Sequence, residues 1–503
     1  MRVPLLSGSR LQIVELPDDA IVLRARPPGE AVANAGAAVQ EALRFPLDGP
    51  SLEELVPRGG RVTIVVEPPA LPVPSALRDP RRAALSATVE ELERIGVPLE
   101  RQTLLVAGGL TRRAGQRELE ALVPPMLARR FSGGVEVHDA ERPDLVDLGA
   151  EGNVPVRVNP TLVQTDAVVV VSAAESLLHG GAAAFLSAAG PEPLRAAGAY
   201  SLLETSASQG WQLAVGVERR LAERVPLFGV TLTLNPPAVT GAFHGYPHDD
   251  RALDRIATSP VRLAFRLAPG IVRSRLLASI PRELTATGAL GGRPSAAHVE
   301  SILRSLDGRA ATLEAPLDVA VIGVPATTPY LPRERPNPVL VAYQALGLAL
   351  RLWRDRFPLT DGGTVILVTP LDRHFPHPTQ SPYRTFFNAL RALGTRAGHE
   401  PASWAEAERA AAADPRAVEA YRRGHTVHPL LPYADWSACL PVLQRAGAVL
   451  VAGSRDARAA RQFGFVPTRN LSAALAMARA RVEGVPRVGY FVAPPYFPVR
   501  VAR

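Results

Sequence analysis

Short runs of consecutive apolar residues, separated by stretches of helical spacing, recur along this chain. Continuous apolar runs mark strands buried on both faces, whereas strict alternation marks strands with one wet face. In the first half the runs fall at 61–66 (RVTIVV), 103–107, 135–138, 155–158, 166–172 (DAVVVVS) and 230–235. Helical spacing covers 82–95, which stops at Gly96, and 116–130. The second half repeats the alternation, with strands at 317–323 (LDVAVIG), 364–369, 448–452 and 488–492 and helices at 338–354 and 471–482. This pattern predicts an α/β protein of two doubly wound domains with mainly parallel sheets and a cleft between them. The expected boundaries are a first domain over 1–260, a helical connector or insertion over 261–314 around the glycine-rich TGALGGRPS, and a second domain over 315–503.

Ligands in such sheets bind beyond the carboxyl ends of the strands. The loops that matter are therefore EPPALPVP after the first strand, AGGLTRR after the second and SAAESLLHGGAAAF after 166–172.

Composition narrows the chemistry. All 56 basic residues are arginine, so a Schiff base, a pyridoxal phosphate anchor and a Walker A loop are excluded. Arginine is never deprotonated in a protein and does not replace a nucleophilic amine. The single cysteine, Cys439, sits in a helical run and is expected to be buried; alone it forms no internal disulfide. The net charge of +8 invites nucleic acid, but the arginines form short groups (78–82, 111–113, 128–130) interspersed with acids and without aromatic platforms. Solvated helix faces account for them, and neither nucleic acid nor membrane is expected as a partner. No apolar stretch reaches spanning length, and a cytoplasmic location is expected.

Candidate chemistry is sparse. His179 precedes Gly180-Gly181 and reads either as a cleft residue or as the closure of a glycine turn. His244 and His248, followed by Asp249 and Asp250, are interrupted by Gly and Pro, which favours a structural loop. Asp372, His374 and His377 follow a strand of the second domain and could join His425 and His428, so that His374, His377 and His425 form an alternative metal site for hydrolysis. The HGG and AGG turns offer backbone amides to a carboxylate or phosphate.

In order along the chain, RVTIVVEPPALPVP, LLVAGGLTRR, VEVHDA, PVRVNPTLVQTDAVVVVSAAE, LTLNPPAVTGAFHGYP, GGTVILV, RRGHTVH and ARQFGFVPTRNLSAALAMA resemble successive stretches of the nickel-dependent lactate racemases. The resemblance implies two α/β domains, an isomerase active site between them, a 2-hydroxy acid substrate and a nickel pincer nucleotide tethered to a lysine. It places Ser187 at the tether, Leu177 and Thr111 at the two acid/base histidines, Leu71 at a substrate-binding arginine and the metal-ligand position near Leu203. Glu67 and Arg112 persist. The expected site is therefore Glu67 and His179 as catalytic groups, with Arg112, Gly108, Gly109, Gly180, Gly181 and Gln344 binding a small organic acid. Threonine and leucine do not exchange protons near neutral pH, so racemase chemistry is expected to be lost or altered. A ligand sensor without turnover and the histidine-metal hydrolase are the alternatives. Cofactor and oligomeric state stay open.

Overall fold

The computed structural model describes residues 2–17, 19–69, 79–326, 334–394 and 399–502. Two six-stranded sheets organise the chain. In the first, the strands run in the order Ala286–Gly292, Leu227–Leu234, Ala167–Ala173, Val62–Val66, Gln102–Val106, Gly134–Val137. All neighbours are parallel except the antiparallel edge strand Ala286–Gly292. The second is parallel throughout, in the order Val466–Thr468, Ala448–Ala452, Leu359–Val368, Leu317–Gly323, Val488–Phe491, Ile21–Leu23.

The continuous apolar runs form these strands because helices cover both faces. Every residue of Val62–Val66 and Leu227–Leu234 is buried. Full burial of each valine or leucine contributes roughly 1.5–3 kcal/mol, and β-branched side chains suit the pleat. One face of the first sheet packs on the helices Ala35–Arg44 and Pro80–Arg94. The other face belongs to an apolar cluster that continues into the second domain, from Val168, Phe185 and Trp211 to Leu317, Ile322 and Phe386. A shared core of this kind restrains the hinge motion that two domains otherwise show.

Several elements depart from the expected ones. The stretch 261–314 is only partly helical: the helices Val261–Leu267, Gly270–Ser279 and Pro294–Arg309 are joined by a strand, Ala286–Gly292, that pairs with Leu227–Leu234 of the first sheet. Its glycines hid it, yet they are what the edge position demands. A Cβ on Gly291 would lie 2.0 Å from the Ala42 carbonyl oxygen. The N-terminal hairpin, Arg2–Ser7 with Arg10–Glu15, packs against the second sheet through Gly8, whose N–H donates to Val324 O at 2.8 Å. The helix expected over 338–354 becomes α, then π over Tyr343–Leu348, then 3-10. Pro124 and Pro125 split 116–130 into Gln116–Leu122 and Pro125–Arg130, since proline leaves no N–H for the helix ladder. The run 155–158 belongs to a separate hairpin with Val146–Glu151.

Cys439 is fully buried, its thiol pushed up by burial, as its helical context predicts. Among the described residues no helix is long and apolar enough to cross a membrane.

Gly291→Ala is expected to destabilise the protein by about 3 kcal/mol, because the methyl meets backbone rather than a yielding side chain. Chemical denaturation checks this, and an unchanged midpoint would mean that the edge strand is not seated on Ala35–Arg44.

Candidate active site

The carboxyl ends of both sheets open on one cleft of about 2070 Å³. Its walls include the residues that follow the strands: Glu67 and Pro68, Gly108 and Gly109, Glu175 and Ser176, Pro325, and Ala493 and Pro494. Of the expected site residues, Glu67, Gly108, Gly109, Arg112 and His179 line it.

Glu67 is the junction of three loops. Its Oε2 accepts from the Gly180 N–H at 2.6 Å and its Oε1 from the Ser187 hydroxyl at 2.6 Å. The Ser187 carbonyl in turn accepts from the Gly109 N–H at 2.9 Å. Two donors on one carboxylate make charge-assisted bonds, each about twice as strong as a neutral one. The glycines are required here: Gly109, Gly180 and Gly181 have φ of +55°, +92° and +54°. A Cβ on Gly181 would lie 2.4 Å from His298 Cβ. His298 is buried, stacks with Trp211 and bonds Ser176 O through Nε2 at 2.9 Å, so it is the anvil on which the glycine turn rests.

His179 combines both readings that its sequence context left open. Nε2 meets Pro68 O at 2.6 Å, which requires hydrogen on Nε2, while the ring faces the cleft. Nδ1 lies 4.0 Å from Glu175 Oε2, and neither atom has a hydrogen-bond partner among the described residues. The other Glu175 oxygen accepts from Arg81 at 3.0 Å, and Arg81 also grips Asp79 with Nη2–Oδ2 at 2.6 Å. The arginine group at 78–82 therefore does not lie wholly on a solvated face: Arg81 turns into the cleft wall. Nothing in its local sequence shows this, because Glu175, its partner, is 94 residues away.

Arg112 lines the cleft with Nη2 on Glu118 at 2.6 Å. The AGGLTRR loop that carries it is clamped by 421–428 of the second domain. The Tyr421 hydroxyl donates to Gly109 O at 2.9 Å and accepts from Ala140 N–H at 3.2 Å. The His428 N–H donates to Leu110 O at 3.0 Å, its Nδ1 accepts from Leu430 N–H, and its Nε2–H donates to Glu141 at 2.9 Å. Sequence reasoning placed His428 near a metal; the geometry makes it a buried fastener between domains.

The remaining positions scatter. Gln344 is fully buried, accepts from Tyr496 at 2.8 Å and does not line the cleft; its site on the π-helical turn rotates it inward. His374 and His377 line the cleft, whereas His425 is exposed and does not. Among the described residues no three His, Cys, Asp or Glu side chains come together to hold a metal ion. His248 bonds Ala25 O and His244 is exposed, as a structural loop requires. Leu177 and Leu203 are core residues, and the Thr111 hydroxyl is spent on Gly108 O at 2.7 Å. Leu71 lies outside the described residues. A cofactor tethered through an amine does not fit this site: the chain has no lysine, and the hydroxyl of Ser187 is committed to Glu67.

Residues 8–181 match the family model of the lactate racemase N-terminal domain. The lactate racemase apoprotein from Thermoanaerobacterium thermosaccharolyticum is similar over 100% of both chains, at 15% identity and a TM-score of 0.59. A protein from Thermotoga maritima is similar over 95% of this chain and 100% of its own, at 11% identity and a TM-score of 0.50. At these identities the likeness is one of fold. No curated protein sequence matches.

Glu67→Ala strands the Gly180 N–H and the Ser187 hydroxyl, and is expected to cost about 1–3 kcal/mol, measured by denaturation; Glu67→Gln, which still accepts one bond, should recover part of this. Burial lowers both His138 and His298 from 6.5 to about 4, so the folded chain keeps them neutral. As pH falls from 6.5 towards about 4, the unfolded chain takes up protons that the folded chain refuses. Stability present above pH 6.5 is then lost, by on the order of 3 kcal/mol per histidine. Denaturation midpoints that stay level between about pH 7 and about pH 5 would contradict this, since unfolded histidine titrates within that range.

Proposed function

We propose that this chain, a member of the lactate racemase-like family, binds a small organic acid of the 2-hydroxy acid class in the cleft between its two sheets, with the tethered-nickel racemase chemistry lost or altered. The observation that carries this reading is the Ser187 to Glu67 hydrogen bond, which fills the place where the resemblance puts a tethering lysine with a closed polar contact. Around it stand a guanidinium for a carboxylate (Arg112), one glycine turn for a close backbone approach (Gly108 to Gly109) and the ring of His179, whereas Gly180 and Gly181 are buried against His298 and do not line the cleft.

In this reading Glu67 is a brace, since both oxygens already accept bonds from the neighbouring loop. His179 is the imidazole that lines the cleft; its Nδ1 is buried 4.0 Å from Glu175, which Arg81 holds in place, so it exchanges a proton with a ligand only once the ring turns from Pro68 O. A single exchanging group serves one face of an α-carbon, whereas racemisation needs both. Binding with turnover on one face, or binding alone, follows from that inventory.

Thermal shift with a panel of 2-hydroxy acids tests the reading. The expected result is saturable stabilisation by at least one acid, weakened about tenfold or more in Arg112→Ala, the loss expected on removing one charge-assisted contact. No stabilisation by any acid, or stabilisation indifferent to Arg112→Ala, would remove the cleft as an organic-acid site.

A further inference from the structure

Away from Glu67, four arginines that have no acidic partner among the described residues gather where the N-terminal hairpin, the helix Gly270–Ser279 and two loops of the second sheet meet. Gly270 is the first residue of that helix. The space beside its Cα, where a side chain would begin, has Arg273 Nη2 at 3.7 Å, Arg335 Nη2 at 3.7 Å and Ser9 Oγ at 4.0 Å. Two guanidinium groups and a hydroxyl thus lie within 4.0 Å of the point where a Gly270 side chain would begin.

Arg273 is nine-tenths buried, and its Nε has no hydrogen-bond partner among the described residues. Its Nη1 reaches the Arg266 and Ala268 carbonyls, while Nη2 lies beside Gly270. Burial, followed by the like charges of Arg10, Arg455 and Arg335, lowers its pKa. Among the described residues none of Arg10, Arg273, Arg335 and Arg455 forms a salt bridge. The adjacent acids are occupied elsewhere: Glu334 accepts from Thr379 and Gln380, and Asp456 from Arg373. Between 259 and 281 the chain has four arginines and no Asp or Glu. Four like charges held together without a counter-ion cost free energy that a bound anion would return.

We propose that this cluster is a binding site for a phosphate group, seated against Gly270 and held by Arg273, Arg335 and Ser9 with Arg10 and Arg455 around it. The class follows from the donors. A planar guanidinium fork matches phosphate oxygens, and a dianion balances several cations better than a carboxylate does. Helix N-terminal amides add to the attraction. Arg335 and the neighbouring Ile271, Ser274 and Arg275 line the cleft, so a phosphate here marks one end of a ligand that enters from the rim. Leu267, Ile271 and Val272 beside the cluster are exposed, so the phosphate belongs either to a soluble molecule or to a lipid headgroup.

Titration calorimetry of the full chain with pyrophosphate and inorganic phosphate, with acetate as the monoanion control, tests the site. Saturable binding of phosphate or pyrophosphate, but not acetate, is expected. Arg335→Ala and Gly270→Ala should each weaken it tenfold or more, about 1.4 kcal/mol. Both variants should fold, because Arg335 is exposed and a Cβ on Gly270 makes ordinary contacts. Arg219→Ala, on a distant exposed helix face, should bind as the native chain does. Co-sedimentation with phosphatidylglycerol vesicles but not phosphatidylcholine vesicles, lost in Arg335→Ala, would assign the phosphate to a lipid; calorimetric binding without co-sedimentation assigns it to a soluble ligand. Absence of both, or binding unaffected by either variant, overturns the proposal.

Discussion

The carboxylate of Glu67 ties together loops that no sheet hydrogen bond joins. It receives a backbone N–H from the Gly180 turn and a hydroxyl from Ser187, while the Ser187 carbonyl receives the N–H of Gly109. The mouth of the first sheet is closed by this one anionic junction. Every other feature of the cleft is placed relative to it: His179 hangs on the carbonyl of the next residue, Pro68, and Tyr421 grips Gly109 from the second domain. A charge-assisted junction at a part-buried position is also a vulnerable one, because its loss leaves donors with no substitute.

What the fold inherits and what its site can do separate at Ser187. Where the resemblance to the lactate racemases puts a tethering lysine, a serine holds the loop geometry by hydrogen bonding to Glu67. The neighbouring changes point the same way. Leu177 and Leu203 extend the core, and Thr111 closes its own turn onto Gly108. The positions where the resemblance puts histidines are here taken up by packing and local hydrogen bonds, which stabilise the scaffold whatever the cleft holds.

The strand runs and the loops at their ends were legible in the chain because burial on both faces writes itself as continuous Val, Ile and Leu, and because glycine pairs mark tight turns. The loops that hold Glu67, Arg112 and His179 could be picked out on that basis, and the resemblance to the lactate racemases singled out Glu67 and Arg112 within them. Long-range partnerships could not. Arg81 looked solvated until Glu175 was seen beside it, and His428 resembled a metal ligand until its ring proved to fasten Glu141. The edge strand Ala286–Gly292 was missed because its glycines serve close approach to Ala42 O, a contact with no local signature. Gln344, expected in the site, is instead buried on a π-helical turn with its side chain on Tyr496.

The central claim is that the Ser187 and Glu67 junction occupies the place of a covalent cofactor attachment. Intact-mass and nickel analysis of the protein, purified from cells that also make the pincer nucleotide, tests it most directly. The account predicts the mass of the bare 503-residue chain and no retained nickel. A covalent adduct that carries nickel would contradict it.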